Sequence, residues 1–145
     1  MRVDFYQLSR DPAPVAIALL ARKTIEAGER LLVVADDLDM LESISKTLWE
    51  ASPEAFLANG IAGDEHDARQ PILLSGEVDP ANSAKFLLLA DGEWRDPGDT
   101  FTRTMLLFDA ATIEAARQTW KALGERNEIE RKFWKQDGGR WVEGP

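Results

Sequence analysis

Residues 31–35 read Leu-Leu-Val-Val-Ala, with no polar position among them. A strand with one face in water alternates apolar and polar residues. An unbroken apolar run of this length suits a strand buried on both faces, and such strands belong to parallel sheets covered by helices. Shorter runs follow at Pro71-Ile72-Leu73-Leu74 and Phe86-Leu87-Leu88-Leu89. The chain before and after the first run completes an alternation. Val3 to Leu8 is rich in β-branched and aromatic residues and is expected to be a strand. Two prolines punctuate the stretch from Ser9 to Pro14, and Pro14 suits a helix start. From Val15 to Ala27, the residues Ile17, Leu20 and Ala27 recur at helical spacing with Ala16 and Ala21 beside them, and Gly28 stands where a helix usually ends. A second helix is expected from about Leu38 to Glu50, with Leu41, Ile44, Leu48 and Trp49 on its apolar side. The order β-α-β-α argues for an α/β fold built on a right-handed parallel crossover.

Beyond it, Ser52 to Gln70 is expected to be a long connection and Asp91 to Gly98 a turn-rich loop. Phe101 to Phe108 should be a strand, and Ala110 to about Glu125 a helix with Ile113, Ala116, Trp120 and Leu123 along one stripe. The segment Arg131–Gln136, then Asp-Gly-Gly, then Arg140–Val142 predicts a terminal hairpin. With 145 residues and no linker or repeat, the expectation is one domain over 1–145 that buries its own core.

Several function classes fall away on composition. There is no cysteine, which excludes disulfides, thiolate zinc sites and Cys nucleophiles and fits a cytoplasmic setting. His66 is the single histidine and lies between Glu65 and Asp67, the setting of a solvated loop residue. No apolar run approaches the roughly 20 residues of a membrane span. The net charge of −9 disfavours direct contact with DNA phosphate. That charge is uneven: residues 1–98 hold 9 Lys and Arg against 18 Asp and Glu, whereas residues 99–145 hold 8 of each. An acidic partner would therefore dock on the last third.

Phosphate cradles place glycines between the first strand and helix, and here that turn is Ser9-Arg10-Asp11-Pro12-Ala13-Pro14. It has no glycine, and its prolines remove N–H donors. Asp36, Asp37 and Asp39 follow a buried strand, where open α/β sheets place ligands, so a nucleotide- or Mg-binding enzyme using that edge is an alternative. The plainer reading is a helix cap with first-turn acids. Two aromatic groups carry more. Leu48-Trp49 is followed after a proline-bearing bend by Phe56-Leu57, a pattern of interfaces and also of cores. Arg117, Trp120 and Lys121 stand at i, i+3 and i+4 and share one helical patch, with Glu114 and Glu125 a turn away. A third reading gives direct single-strand binding to Arg131, Lys132, Lys135 and Arg140 beside Phe133, Trp134 and Trp141, against the net charge.

These residues, in order, resemble the chi subunit family of bacterial DNA polymerase III. The resemblance runs from Phe5-Tyr6 through Gly28-x-Arg30, the 31–35 run, Leu48-Trp49, Ser52-Pro53-x-x-Phe56 and Pro71–Leu74 to Ala116-Arg117-x-x-Trp120-Lys121. It implies a three-layer, mostly parallel α/β fold without a phosphate loop. It also implies an accessory subunit of the clamp loader with no catalytic residue, cofactor or metal. Such subunits bind the acidic C-terminal tail of single-stranded DNA-binding protein (SSB). Carried over, Arg117 would pair with an acidic group or the terminal carboxylate, and Lys121 would add a second charge. Trp120 would replace the family's more usual tyrosine as the apolar wall, and Phe108 would form the pocket floor. A desolvated Arg117 would be worth roughly 2–3 kcal/mol of tail binding. Leu48, Trp49 and Phe56 resemble the face that holds a second partner, which is a psi subunit in some bacteria and a helicase in others. On that face the chain departs from the family pattern, with Ala58-Asn59 where a Pro-His pair is usual.

Overall fold

The computed structural model describes residues 1–9, 11–51, 57–137 and 140–144, the side chains of residues 137 and 140 excepted. The elements run β1 (Arg2–Gln7), α1 (Ala13–Glu26), β2 (Leu31–Val34), α2 (Leu38–Glu50), β3 (Asn59–Ile61), a short 3-10 turn (Asp67–Arg69), β4 (Ile72–Ser75) and β5 (Phe86–Leu89). They continue with β6 (Arg103–Phe108), α3 (Ile113–Gly124), β7 (Glu130–Asp137) and β8 (Arg140–Glu143). Among the described residues the strands form one eight-stranded sheet in the order β3-β4-β2-β5-β6-β1-β7-β8. Every pairing is parallel except β7 with β8, the expected terminal hairpin.

The apolar runs behave as their composition requires. Leu31, Leu32, Val33 and Val34 are all fully buried, as are Ile72, Leu73 and Leu74. Successive side chains leave a strand on opposite faces, so each run feeds two cores. Leu31 and Val33 pack under α1 and α2 with Ile17, Ile44 and Leu88. Leu32 and Val34 join Leu73, Leu87, Ala116 and Leu123 on the α3 side. The result is three layers, with α1 and α2 on one face and α3 on the other.

The connections explain where the sequence reading stops short. β1 and β2 are not neighbours, because β5 and β6 lie between them. β3 falls inside the stretch expected to be a connection; at three residues it is too short to carry a periodic signal. No helix joins β4 to β5 or β5 to β6. Instead Val78, Ala84, Trp94 and Phe101 from those loops pack against the α3-side core and cover sheet that a helix would otherwise cover. Helix α3 begins at Ile113, later than expected, because Asp109 first closes a local turn. Its carboxylate accepts from the Ala111 and Thr112 N–H groups, at 2.9 and 3.2 Å. Gly28 ends α1 at φ +81°, the backbone region a side chain disfavours. Arg30, two residues on, donates to the carbonyls of Ala68 and Asn82, both at 2.9 Å, and so ties two loops beneath β2.

Candidate functional site

The alternation of β1 sends Phe5 to the α3 side of the sheet and Asp4 and Tyr6 to the other. On the α3 side Phe5 meets the ring of Trp120 edge-on, with centroids 5.1 Å apart at 79°. Phe133, the β7 residue in register with Phe5, meets Trp120 at 6.5 Å and 82°. It also lies 6.1 Å from Phe108 at the end of β6. Arg131 holds Trp120 from above: its guanidinium lies 4.2 Å from the ring centroid, and its Nη1 donates to the Trp120 carbonyl at 2.6 Å. These rings, with Ile113, enclose a cavity of about 190 Å³ near the carboxyl ends of β1 and β6. Open α/β sheets place ligands at that edge.

Three of the four residues predicted for the SSB tail meet there. Phe108 is buried, Trp120 forms a wall, and Arg117 also lines the cavity. The Arg117 side chain is 62% exposed and donates to Glu114 at 2.6 Å. An exposed pair of this kind is worth at most about 1 kcal/mol, so Glu114 holds Arg117 only weakly. Lys121 is exposed one turn on and does not line the cavity. The sequence reading missed Phe5, Gln7, Ile113 and Phe133 as lining residues. Phe5 carries no signal for this face beyond its place in the first strand. The pairing that brings Phe133 beside it spans most of the chain and leaves no local signal.

The second expected face is arranged differently. Leu48 is buried, whereas Trp49 is 59% exposed and lies off the buried stripe of α2, which corrects its assignment to the helix's apolar side. Phe56 lies outside the described residues. Asn59 is buried at the start of β3. Its carbonyl oxygen accepts from the Ser45 hydroxyl at 2.5 Å, and its amide donates to the Leu57 carbonyl at 2.9 Å. At this departure from the family pattern, Asn59 is committed to holding the chain.

At the acidic edge the expected trio does not gather. Asp37 caps α2, accepting from the Asp39 N–H at 3.0 Å, as the plainer reading holds. Asp36 instead lies near Asp91 and Glu93. Nη2 of Arg95 sits 2.9 Å from both Asp36 and Asp91 and 3.5 Å from Glu93, so the chain supplies its own cation. Burial works to raise the Asp91 carboxyl, but hydrogen bonds from Arg95 and from the Asp36 and Glu93 N–H groups outweigh it and leave the group below its ordinary value. His66 is exposed, with Glu65 3.4 Å away. The aromatics of the hairpin turn inward. Phe133 packs on the α3 side, while Trp134 and Trp141 pack against the α1 side, so the three rings do not form one continuous row.

Among the described residues no helix is long and apolar enough to cross a membrane. Residues 1–130 match the family described as DNA polymerase III chi subunit, HolC. A "Probable DNA polymerase III subunit chi" from Rickettsia prowazekii (strain Madrid E) is 27% identical over 86 residues, covering 59% of this chain and 52% of that relative. The match therefore spans about half the length of the curated relative. The family match over 130 of the 145 residues, on a mostly parallel α/β sheet, leads to one assignment: the chain belongs to the DNA polymerase III chi subunit family.

Proposed function

We propose that this chain is a non-catalytic accessory subunit of the replicative DNA polymerase III, linking the clamp loader to SSB by binding its acidic C-terminal tail. One observation supports the tail site above the others: the aromatic cavity has Arg117 in its lining, on the third of the chain that is least acidic. An apolar cavity beside a cation suits a chain end made of an aromatic side chain and a terminal carboxylate. Lys121, one turn away, faces the acidic residues that precede the terminus. Phe108 and Trp120 take the terminal ring. The exposed Trp49, with Leu48 and Phe56 as its companions in the family pattern, is the face for a second partner, a psi-like clamp-loader subunit or a helicase. A weak tail contact is enough when many SSB tails crowd one strand, because linked sites raise the effective concentration.

The test is fluorescence anisotropy of a labelled acidic peptide ending in a free phenylalanine carboxylate. Saturable binding is expected, weaker for the amidated peptide and for Arg117→Ala. Equal binding of the free and amidated peptides would remove the carboxylate from the recognition.

A further inference from the structure

On the opposite face, at the amino ends of β1 and β6, lies a second cavity of about 300 Å³. That volume is at the lower end for small-molecule sites. Beneath it is Asp4, whose side chain is fully buried. Its carboxylate accepts from Arg2 Nε at 3.0 Å, Arg103 Nε at 2.6 Å and the Trp134 indole N–H at 3.0 Å. Nη2 of Arg103 donates to the Tyr6 hydroxyl at 2.6 Å. Thus one buried acid fixes two guanidinium groups in place, and Lys23 from the last turn of α1 joins them in the lining. Three cations against one acid leave a local charge of about +2, within a chain whose net charge is −9.

The remaining walls are apolar and mostly flat. Phe86 lies under the Arg103 guanidinium at 5.7 Å. The hairpin contributes Trp134, stacked on Tyr6 at 6.2 Å and 12°, and Trp141, edge-on to Tyr6 at 5.0 Å. Both tryptophans lie beyond residue 130, where the family match ends, and closing this cavity gives the aromatic hairpin a role.

We propose that this cavity binds a phosphate monoester carrying a planar ring, of which a nucleoside 5′-monophosphate is the simplest form. A phosphate monoester carries close to two negative charges at neutral pH, which matches the cationic excess. Asp4 takes Nε and Nη2 of Arg2 and Nε of Arg103, and Tyr6 takes Nη2 of Arg103, so each guanidinium is fixed in its plane with Nη1 left to donate to a phosphate oxygen. The ring of the ligand lies along the aromatic walls. The site is on the other side of the sheet from the tail cavity and does not depend on that reading.

The experiment is isothermal titration of the full chain with adenosine 5′-monophosphate, adenosine and inorganic phosphate. Saturable binding of the monophosphate is expected, at least tenfold tighter than either fragment. Arg103→Gln should abolish it, but that variant leaves Asp4 with fewer partners and can unfold the chain. Lys23→Gln changes an exposed side chain, keeps the melting temperature, and should weaken binding about fivefold, as for loss of one exposed charge contact. No heat of binding at millimolar monophosphate, equal binding of adenosine, or unchanged affinity in Lys23→Gln would overturn the proposal. A 5′-phosphorylated oligonucleotide distinguishes the source of the ligand: tighter binding than the mononucleotide assigns the site to a strand end, and weaker binding assigns it to free nucleotide.

Discussion

Trp120 and Trp49 stand near the ends of two helices of similar length, and the structure treats them in opposite ways. Trp120 is wedged between Phe5 and Phe133 and fixed by Arg131 through both its ring and its carbonyl. Trp49 is 59% exposed, one residue past the buried Leu48. The first belongs to a preformed concavity whose shape the folded chain maintains. The second is apolar surface that folding leaves in water. Binding at a preformed site loses little side-chain freedom, whereas a protruding tryptophan contributes only when a partner covers it. A difference in stability therefore separates the two before any ligand is added.

The largest expected effect is that of Trp120→Ala. It removes a half-buried ring with three partners and should cost about 2–3 kcal/mol by thermal or urea unfolding, together with tail binding. Next is the alkaline limit of the strand that carries Phe5. Burial, with Asp4 adding to it and Arg103 working against it, pushes the Tyr6 hydroxyl from 10.0 up to about 12. Below pH 10 both folded and unfolded forms are neutral and the stabilisation is fully present. Between pH 10 and 12 the unfolded chain ionises first, so stability should fall by about 2 kcal/mol. Tyr6 is the single tyrosine, so its phenolate absorbance reports the shift directly, and ionisation near pH 10 in the folded chain would contradict it.

Arg117→Ala comes third. Its side chain is 62% exposed and already paired, so the expected loss of tail affinity is about 1–2 kcal/mol, below the value for a desolvated charge. Glu114→Gln, by releasing Arg117, should tighten binding by a few tenths of a kcal/mol, and loosened binding would show that Glu114 orients the guanidinium. Trp49→Ser should be the smallest, within about 0.5 kcal/mol of wild type in unfolding and without effect on the tail. A large loss of stability in Trp49→Ser would erase the contrast between the two tryptophans.

The sequence carried the fold well where its signals are local. The unbroken 31–35 run announced a doubly covered strand, Gly28 marked the end of α1, and the spacing of Ala116, Trp120 and Leu123 marked the inner face of α3. It carried the candidate site in part: Arg117 and Trp120 share a patch by helical spacing alone. Phe5 and Phe133 join them only through the β1–β7 pairing, and the Asp4 cluster draws on Arg2, Arg103 and Trp134 from three strands. Residue identity records burial and turn chemistry, but nothing in the local pattern states that β1 lies between β6 and β7. The exposure of Trp49 was equally hidden, since an apolar residue beside a helical stripe fits either side of its boundary.

The most direct test of the tail site uses the five tryptophans as reporters. In a nitrogen-15 spectrum each indole N–H gives one signal, assigned by single substitution. Titration with the acidic peptide bearing a free C-terminal phenylalanine should shift the Trp120 signal saturably and leave that of Trp49 in place. A shift of Trp49 with Trp120 unmoved would contradict the assignment and place the tail on the α2 face.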